Sequence, residues 1–321
     1  MKKSIIYLLL FYIILGSFGC EENFDPFTDG KDAVILNCIL RSDTTLQMVY
    51  INKSYKPVGF DPYPNIEDHF AKNAKVKVWI GDTVYTFRDT LIKRADTSRY
   101  KNDIYCYYSH DIRLTNKTKI EIEATLENGK KFSAISNTPS KISFSNISAD
   151  VISEESKNMI NISWENTSAE SYYYPRMLFS YYKNIGGVQV KFTKSVPISY
   201  YQENGNTSPR YPQPGYSSSL NISKKVIEKA LLEISEGDPV KSDYTINEYV
   251  YVEVLSFDNN LTRYYSSTQT LDNLSISVDE NDYTNINGGF GIFASMMKDT
   301  YRLKFFSQFI TTLGYKFNSG N

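Results

Sequence analysis

Histidine is nearly absent from this 321-residue sequence: His69 and His110 are the only two, and neither stands in a metal-ligand spacing. No HExxH, CxxC, GxSxG or phosphate-loop pattern occurs. The commonest zinc, nucleophile and nucleotide chemistries are thereby removed. His69 lies in IEDHF (Ile66 to Phe70) within a long loop and His110 follows a strand ending at Tyr108, so surface positions are expected for both. A charge excess is missing too. With 35 Lys and Arg against 36 Asp and Glu, the chain carries no basic footprint for nucleic acid.

Carboxylates could still serve a glycosidase, and the nearest groupings are Asp61, Glu67 and Asp68 in one loop and Asp279, Glu280 and Asp282 in another. Nothing in the spacing holds a pair about 5 to 10 Å apart across a sugar. Asp279 to Asn285 offers oxygen ligands but lacks the positions and glycine of a regular calcium loop. No metal and no cofactor is expected, and the chain reads as a non-enzyme.

Long apolar runs are confined to one, Ile5 to Leu15, preceded by Lys2 and Lys3 and followed by Gly16, Ser17 and Gly19 before Cys20. Eleven residues make a helix of about 16 Å, too short for a hydrocarbon core of about 30 Å. Residues 1–19 therefore read as a secretory signal. Cys20 directly after the cleavage point matches a bacterial lipoprotein signal, in which the thiol is lipidated and anchors the chain to a membrane. The competing reading is an ordinary signal with an incidental cysteine. Residues 20–32, with the acidic stretch EENFDPFTDG, read as a tether. That stretch also resembles the export signals that send Bacteroidetes lipoproteins to the outer face of the outer membrane.

Cysteine is scarce, and with Cys20 committed to lipid only Cys38 and Cys106 remain. They could form one disulfide or stay as two buried thiols.

What is abundant is tyrosine, 27 residues within an aromatic content of 15%. Such composition favours strands. From Ala33 to Thr138 short apolar runs alternate with turn signals: AVILNCIL, LQMVYI, KVKVWI, TVYTF, IYCYY, KIEIEATL and KFSAI. In KVKVWI, Val76, Val78 and Ile80 share one face while Lys75, Lys77 and Trp79 take the other. Asn128-Gly129 predicts a type I′ hairpin turn between Leu126 and Phe132. A first β-sandwich over 33–139 follows. Its one long connection, Lys56 to Asn73, carries Pro57, Gly59, Pro62 and Pro64, and loops of that length are often functional.

Residues 140–321 read as a second sandwich. MINISW (Met159 to Trp164), YYYPRMLFSYY (Tyr172 to Tyr182), VQVKFTKSV and EYVYVEVLSFD (Glu248 to Asp258) resemble the strands of a fibronectin type III domain. One amphipathic helix is inserted, Ile222 to Ile234, with Ser223 as cap and Ile227, Leu231 and Ile234 as its apolar stripe. The fold class is all-β, two β-sandwiches. Between strands, Ile198 to Leu220 reads as an aperiodic insertion loop whose Tyr200, Tyr201, Tyr211 and Tyr216 suit contact with a glycan, a peptide or a partner surface. The alternative is that a tyrosine-rich composition places them there without a role.

The AVILNCIL strand, AKVKVWIGDTVYTF (Ala74 to Phe87), IEIEATLENGKKFSAISNTP (Ile120 to Pro139), EYVYVEVLSFD and NINGGFGIFAS (Asn285 to Ser295) together resemble the Bacteroidetes lipoproteins of domain-of-unknown-function family 4249. Cys38 and the tyrosine-rich insertion depart from that pattern. The resemblance implies a surface-exposed outer-membrane lipoprotein beside a TonB-dependent receptor, helping it take up a nutrient by binding. It carries no catalytic residue. An adhesive or structural surface protein is the alternative, and a carbohydrate-active hydrolase a more distant one. In that compartment Asp43-Thr44-Thr45, Asp82-Thr83-Val84 and Asp89-Thr90-Leu91 resemble short O-glycosylation acceptors, which makes Thr44, Thr83 and Thr90 candidate modification sites. The Gly288, Gly289 and Gly291 cluster is expected to serve tight turns beside Phe290 and Phe293.

Overall fold

A computed structural model describes residues 33–55, 64–148, 150–165, 171–203, 205–269 and 283–319. Residues 1–32, and with them the signal, Cys20 and the tether, lie outside the described residues, as do Asp61, Asp279, Glu280 and Asp282.

The chain is all-β, as its composition implies. Its first half contributes β1 (Val34–Arg41), β2 (Gln47–Lys53), β3 (Lys75–Ile80), β4 (Thr83–Thr86), β5 (Arg88–Ile92), β6 (Ile104–Ser109), β7 (Lys119–Thr125) and β8 (Lys131–Asn137). Short β9 (Phe144–Ser145) and β10 (Val151–Ile152) lead to β11 (Met159–Trp164), β12 (Tyr173–Ile185), β13 (Val188–Val196), β14 (Ser199–Glu203), β15 (Asn206–Arg210) and β16 (Ser219–Ser223). Helix α1 (Lys224–Leu232), β17 (Tyr244–Phe257), α2 (Asn259–Gln269), β18 (Phe290–Phe305), α3 (Ser307–Thr312) and β19 (Lys316–Asn318) complete it.

One long sheet runs β13-β12-β17-β18-β1-β2-β6-β5 and serves both halves. A four-stranded sheet, β4-β3-β7-β8, covers its β1-β2-β6 end, and alternate residues such as Leu36, Val49, Val78, Ile122 and Phe132 close a first core. The three-stranded sheet β16-β11-β9, with α1 and α3, covers the β12-β17-β18 end. Trp164, Phe179, Val252 and Ile227 lie in that second core. On the far side of the sheet α2 seals a small third cluster through Leu261 against Phe257 and Ile292.

The joint between the halves is β18. Its first residues pair in parallel with β1, Ile35 to Phe290 through Arg41 to Met296, and its last pair antiparallel with β17. The boundary expected at Pro139 is therefore crossed again near the C-terminus, because Ile286 and Phe293 pack into the first core. The glycine cluster makes this possible by a turn at Gly288, φ +86°, followed by close approach at Gly289 and Gly291. A Cβ on Gly291 would stand 2.2 Å from the Leu36 carbonyl oxygen, and one on Gly289 2.6 Å from that of Val34.

Charge pins the same joint. Asp43, in the β1–β2 turn, accepts from Arg41 at 2.9 Å and from Arg176 of β12 at 3.2 Å. Arg176 also reaches Glu253 at 2.7 Å, and Lys298 meets Glu253 at 3.1 Å. Burial opposes the Asp43 charge, yet the two guanidiniums hold its carboxyl below the usual range.

One open alternative is settled and one expectation is corrected. Cys38 and Cys106 are both buried free thiols, not a disulfide. Cys38 faces the first core beside Val49, whereas Tyr105 and Tyr107 take that face on β6 and turn Cys106 to the other side, two strands away. The Asn128-Gly129 turn is not type I′, which needs positive φ at both central residues. Only Gly129 is left-handed, at +81°, and its N–H bonds the Leu126 carbonyl, giving a three-residue loop with a glycine bulge.

Candidate functional site

Where the two sandwiches meet, the end of β17 runs directly into α2, and Asp258 occupies the junction. Its Oδ1 accepts the Leu261 N–H at 2.8 Å, the capping bond of a helix N-terminus. Its Oδ2 accepts the Ser136 hydroxyl of β8 at 2.7 Å, and the N–H and hydroxyl of Ser295 on β18 at 2.6 and 2.9 Å. One carboxylate thus joins the four-stranded sheet, the shared sheet and α2. At 4% exposure it is deeply buried. Burial pushes its pKa up to about 6 even though the donors pull the other way.

Beside this junction lies a cleft of about 390 Å³, walled by Ser136, Asn137 and Ser140 from the first half and by Ser256, Asn259 and Arg263 from the second. Among the described residues Asp258 is the only carboxylate and Arg263 the only cation on its wall. Ser256 is 3% exposed, and its hydroxyl has no hydrogen-bond partner among the described residues. Asn260 is held away from such a role: its amide donates to the Ile135 and Phe293 carbonyls and accepts from Tyr283 at 2.6 Å.

A second, larger cleft of about 570 Å³ lies against the long loop and contains Glu67, Asp68 and His69. Asp68 is occupied there by Arg94 at 3.0 Å and by the Asn52 amide at 2.9 Å. The His69 ring is exposed against Tyr55, and His110 is exposed against Tyr108. Among the described residues no group of three metal-ligating side chains occurs.

The four tyrosines do not converge on one patch. Tyr200 and Tyr201 stand on β14, in a β14–β15 hairpin where an aperiodic loop was expected. The Tyr200 ring lies under Lys229 of α1, its Nζ 4.0 Å from the centroid, while Tyr201 is exposed. Tyr211 is half-buried, and Tyr216 packs edge-on against Tyr172 at 4.7 Å. Of the candidate acceptors, Thr83 is exposed, whereas Thr44 is half-buried with its hydroxyl accepting the Leu46 N–H, and Thr90 is half-buried on β5.

Asp258 went unnoticed as a site residue in the sequence because it reads as the polar end of a strand. A signal was present, since Asp258 followed by Leu261 fits a cap and third helical position. The helix itself, NNLTRYYSSTQ, is poor in strong helix formers and hides that signal.

The sequence profile of the domain of unknown function DUF4249 matches residues 21–302. The chain belongs to the DUF4249 family. No curated protein matches it. The matched range takes in both sandwiches, the shared strand β18 through Arg302 and the whole seam cleft, so the joint is part of the DUF4249 unit.

Proposed function

We propose that this DUF4249 protein is a surface-exposed, lipid-anchored outer-membrane protein that works as a non-catalytic binding or accessory subunit of a TonB-dependent nutrient-uptake system. The observation that carries the binding role is the seam cleft. It is concave and assembled from both sandwiches, and clefts between two such units are a preferred place for small-ligand sites. Its single carboxylate is engaged by four internal donors, which leaves it poorly placed to act as a nucleophile or base. Anchoring rests on the Cys20 pattern and the association with a receptor on the family resemblance.

The test is a mild-detergent purification of the tagged protein from its native membrane, with mass spectrometry of what accompanies it. A stoichiometric TonB-dependent barrel is the expected result. Recovery of the protein alone would overturn the accessory role in favour of adhesion. In parallel, Cys20→Ala is expected to release a folded protein from membranes, and a membrane-retained variant would sink the lipid anchor.

A further inference from the structure

We propose that the seam cleft binds a neutral, hydroxyl-rich ligand of saccharide chemistry; this rests on the binding role above and names what is bound. Its volume of about 390 Å³ falls inside the range of about 300 to 1,000 Å³ typical of small-ligand sites. The ligand class follows from which polar groups are left over once the internal bonds are drawn.

Asp258 has none to spare, because its oxygens already accept four hydrogen bonds. Ser256 is the opposite case. Its hydroxyl is buried in the cleft wall with no partner among the described residues. A bound polar group would supply the partner that this hydroxyl lacks. Asn137 at the end of β8 and Asn259 at the start of α2 are exposed residues of the cleft lining.

Hydroxyl and amide side chains both donate and accept, and so do the hydroxyls of a sugar. Charge argues the same way. Asp258 sits at the α2 N-terminus and offsets the positive end of that helix, so an anion finds only Arg263. A cation finds no free carboxylate on the wall among the described residues. Ile135, half exposed at 53% on the rim, offers an apolar surface of the kind that covers the C–H face of a sugar ring.

The experiment titrates the purified mature protein with glucose, N-acetylglucosamine, maltose and cellobiose by calorimetry and saturation-transfer NMR, with citrate as the anionic comparator. Saturable binding of at least one sugar, and none of citrate, is expected. Ser256→Ala is expected to weaken that binding at least tenfold without lowering Tm, since the hydroxyl it removes has no partner among the described residues. Asn259→Ala, on the exposed rim, provides a second variant with the same expectation. The ligand class is overturned if none of the sugars binds, if citrate binds in preference, or if both variants keep full affinity. A barrel partner recovered without sugar binding sinks the ligand class alone, whereas sugar binding without a barrel sinks the accessory role alone.

Discussion

Besides the backbone bond from the Asp258 N–H to the Ser295 carbonyl at 3.0 Å, the Asp258 carboxylate binds Ser295 twice, accepting the backbone N–H at 2.6 Å and the hydroxyl at 2.9 Å across 37 residues of chain. Asp258→Ala removes the two carboxylate bonds, the Ser136 bond and the α2 cap together. Loss of about 3 kcal/mol or more is expected, since each stranded buried donor costs about 1 to 3 kcal/mol. Urea unfolding measures it, and a loss under about 1 kcal/mol would show that the junction does not hold the halves together.

The same residue predicts a pH dependence with a definite sign. Burial raises its folded pKa to about 6, above the value near 4 of an unfolded chain. Between those values the folded state binds the extra proton, so this group's contribution falls as pH rises from about 4 to about 6, by about 3 kcal/mol for two pKa units. Asp258→Asn cannot titrate. The stability of the wild type relative to that variant should therefore decline over this window, and a constant difference would refute the shift.

Gly291→Ala tests the parallel pairing of β1 with β18. Its φ is +106°, and the added Cβ would meet the Leu36 carbonyl oxygen at 2.2 Å. Gly187→Ala, at φ +86° in the β12–β13 turn but with open space around it, isolates the conformational cost of about 1 to 3 kcal/mol. Thermal unfolding should show Gly291→Ala as clearly the more damaging.

Arg176→Ala leaves Asp43 and Glu253, with side chains only 4% and 13% exposed, short of a shared cation. Breaking a buried pair costs about 3 to 5 kcal/mol, and the 28% exposure of Arg176 reduces the expectation to about 1 to 3 kcal/mol. A double-mutant cycle with Asp43→Asn should give a coupling above about 0.5 kcal/mol.

Both buried thiols should resist labelling in the native protein and react fully on unfolding, with no crosslink under oxidation. Burial raises the pKa of Cys38 far above that of a free thiol and raises that of Cys106 as well. Thiol counting of the Cys20→Ala protein, native against denatured, checks this.

Local pattern made much of this fold legible. KVKVWI buries Val76, Val78 and Ile80 as its alternation requires, and Val250, Val252 and Val254 turn inward from β17. Ile227 and Leu231 of α1 are buried as read. The features that escaped depend on distant chain segments. Arg88–Ile92 is exposed on four of its five residues and becomes a strand by pairing with β6. The β14–β15 hairpin forms from polar residues without apolar alternation. Above all, nothing near Ile35 announces that its neighbour in the sheet, Phe290, comes from the far part of the sequence. The seam site shares that difficulty, since Ser136, Asp258 and Ser295 converge only when the sheets do.

Because β1 gains its outer neighbour from the first part of β18, a fragment stopped at Pro139 would bare a full-length apolar strand edge and lack Phe293 from its core. The first sandwich cannot be finished in the order in which it is translated. Completion waits for residues 286–296, so the two halves are committed to folding together, after β18 has been delivered.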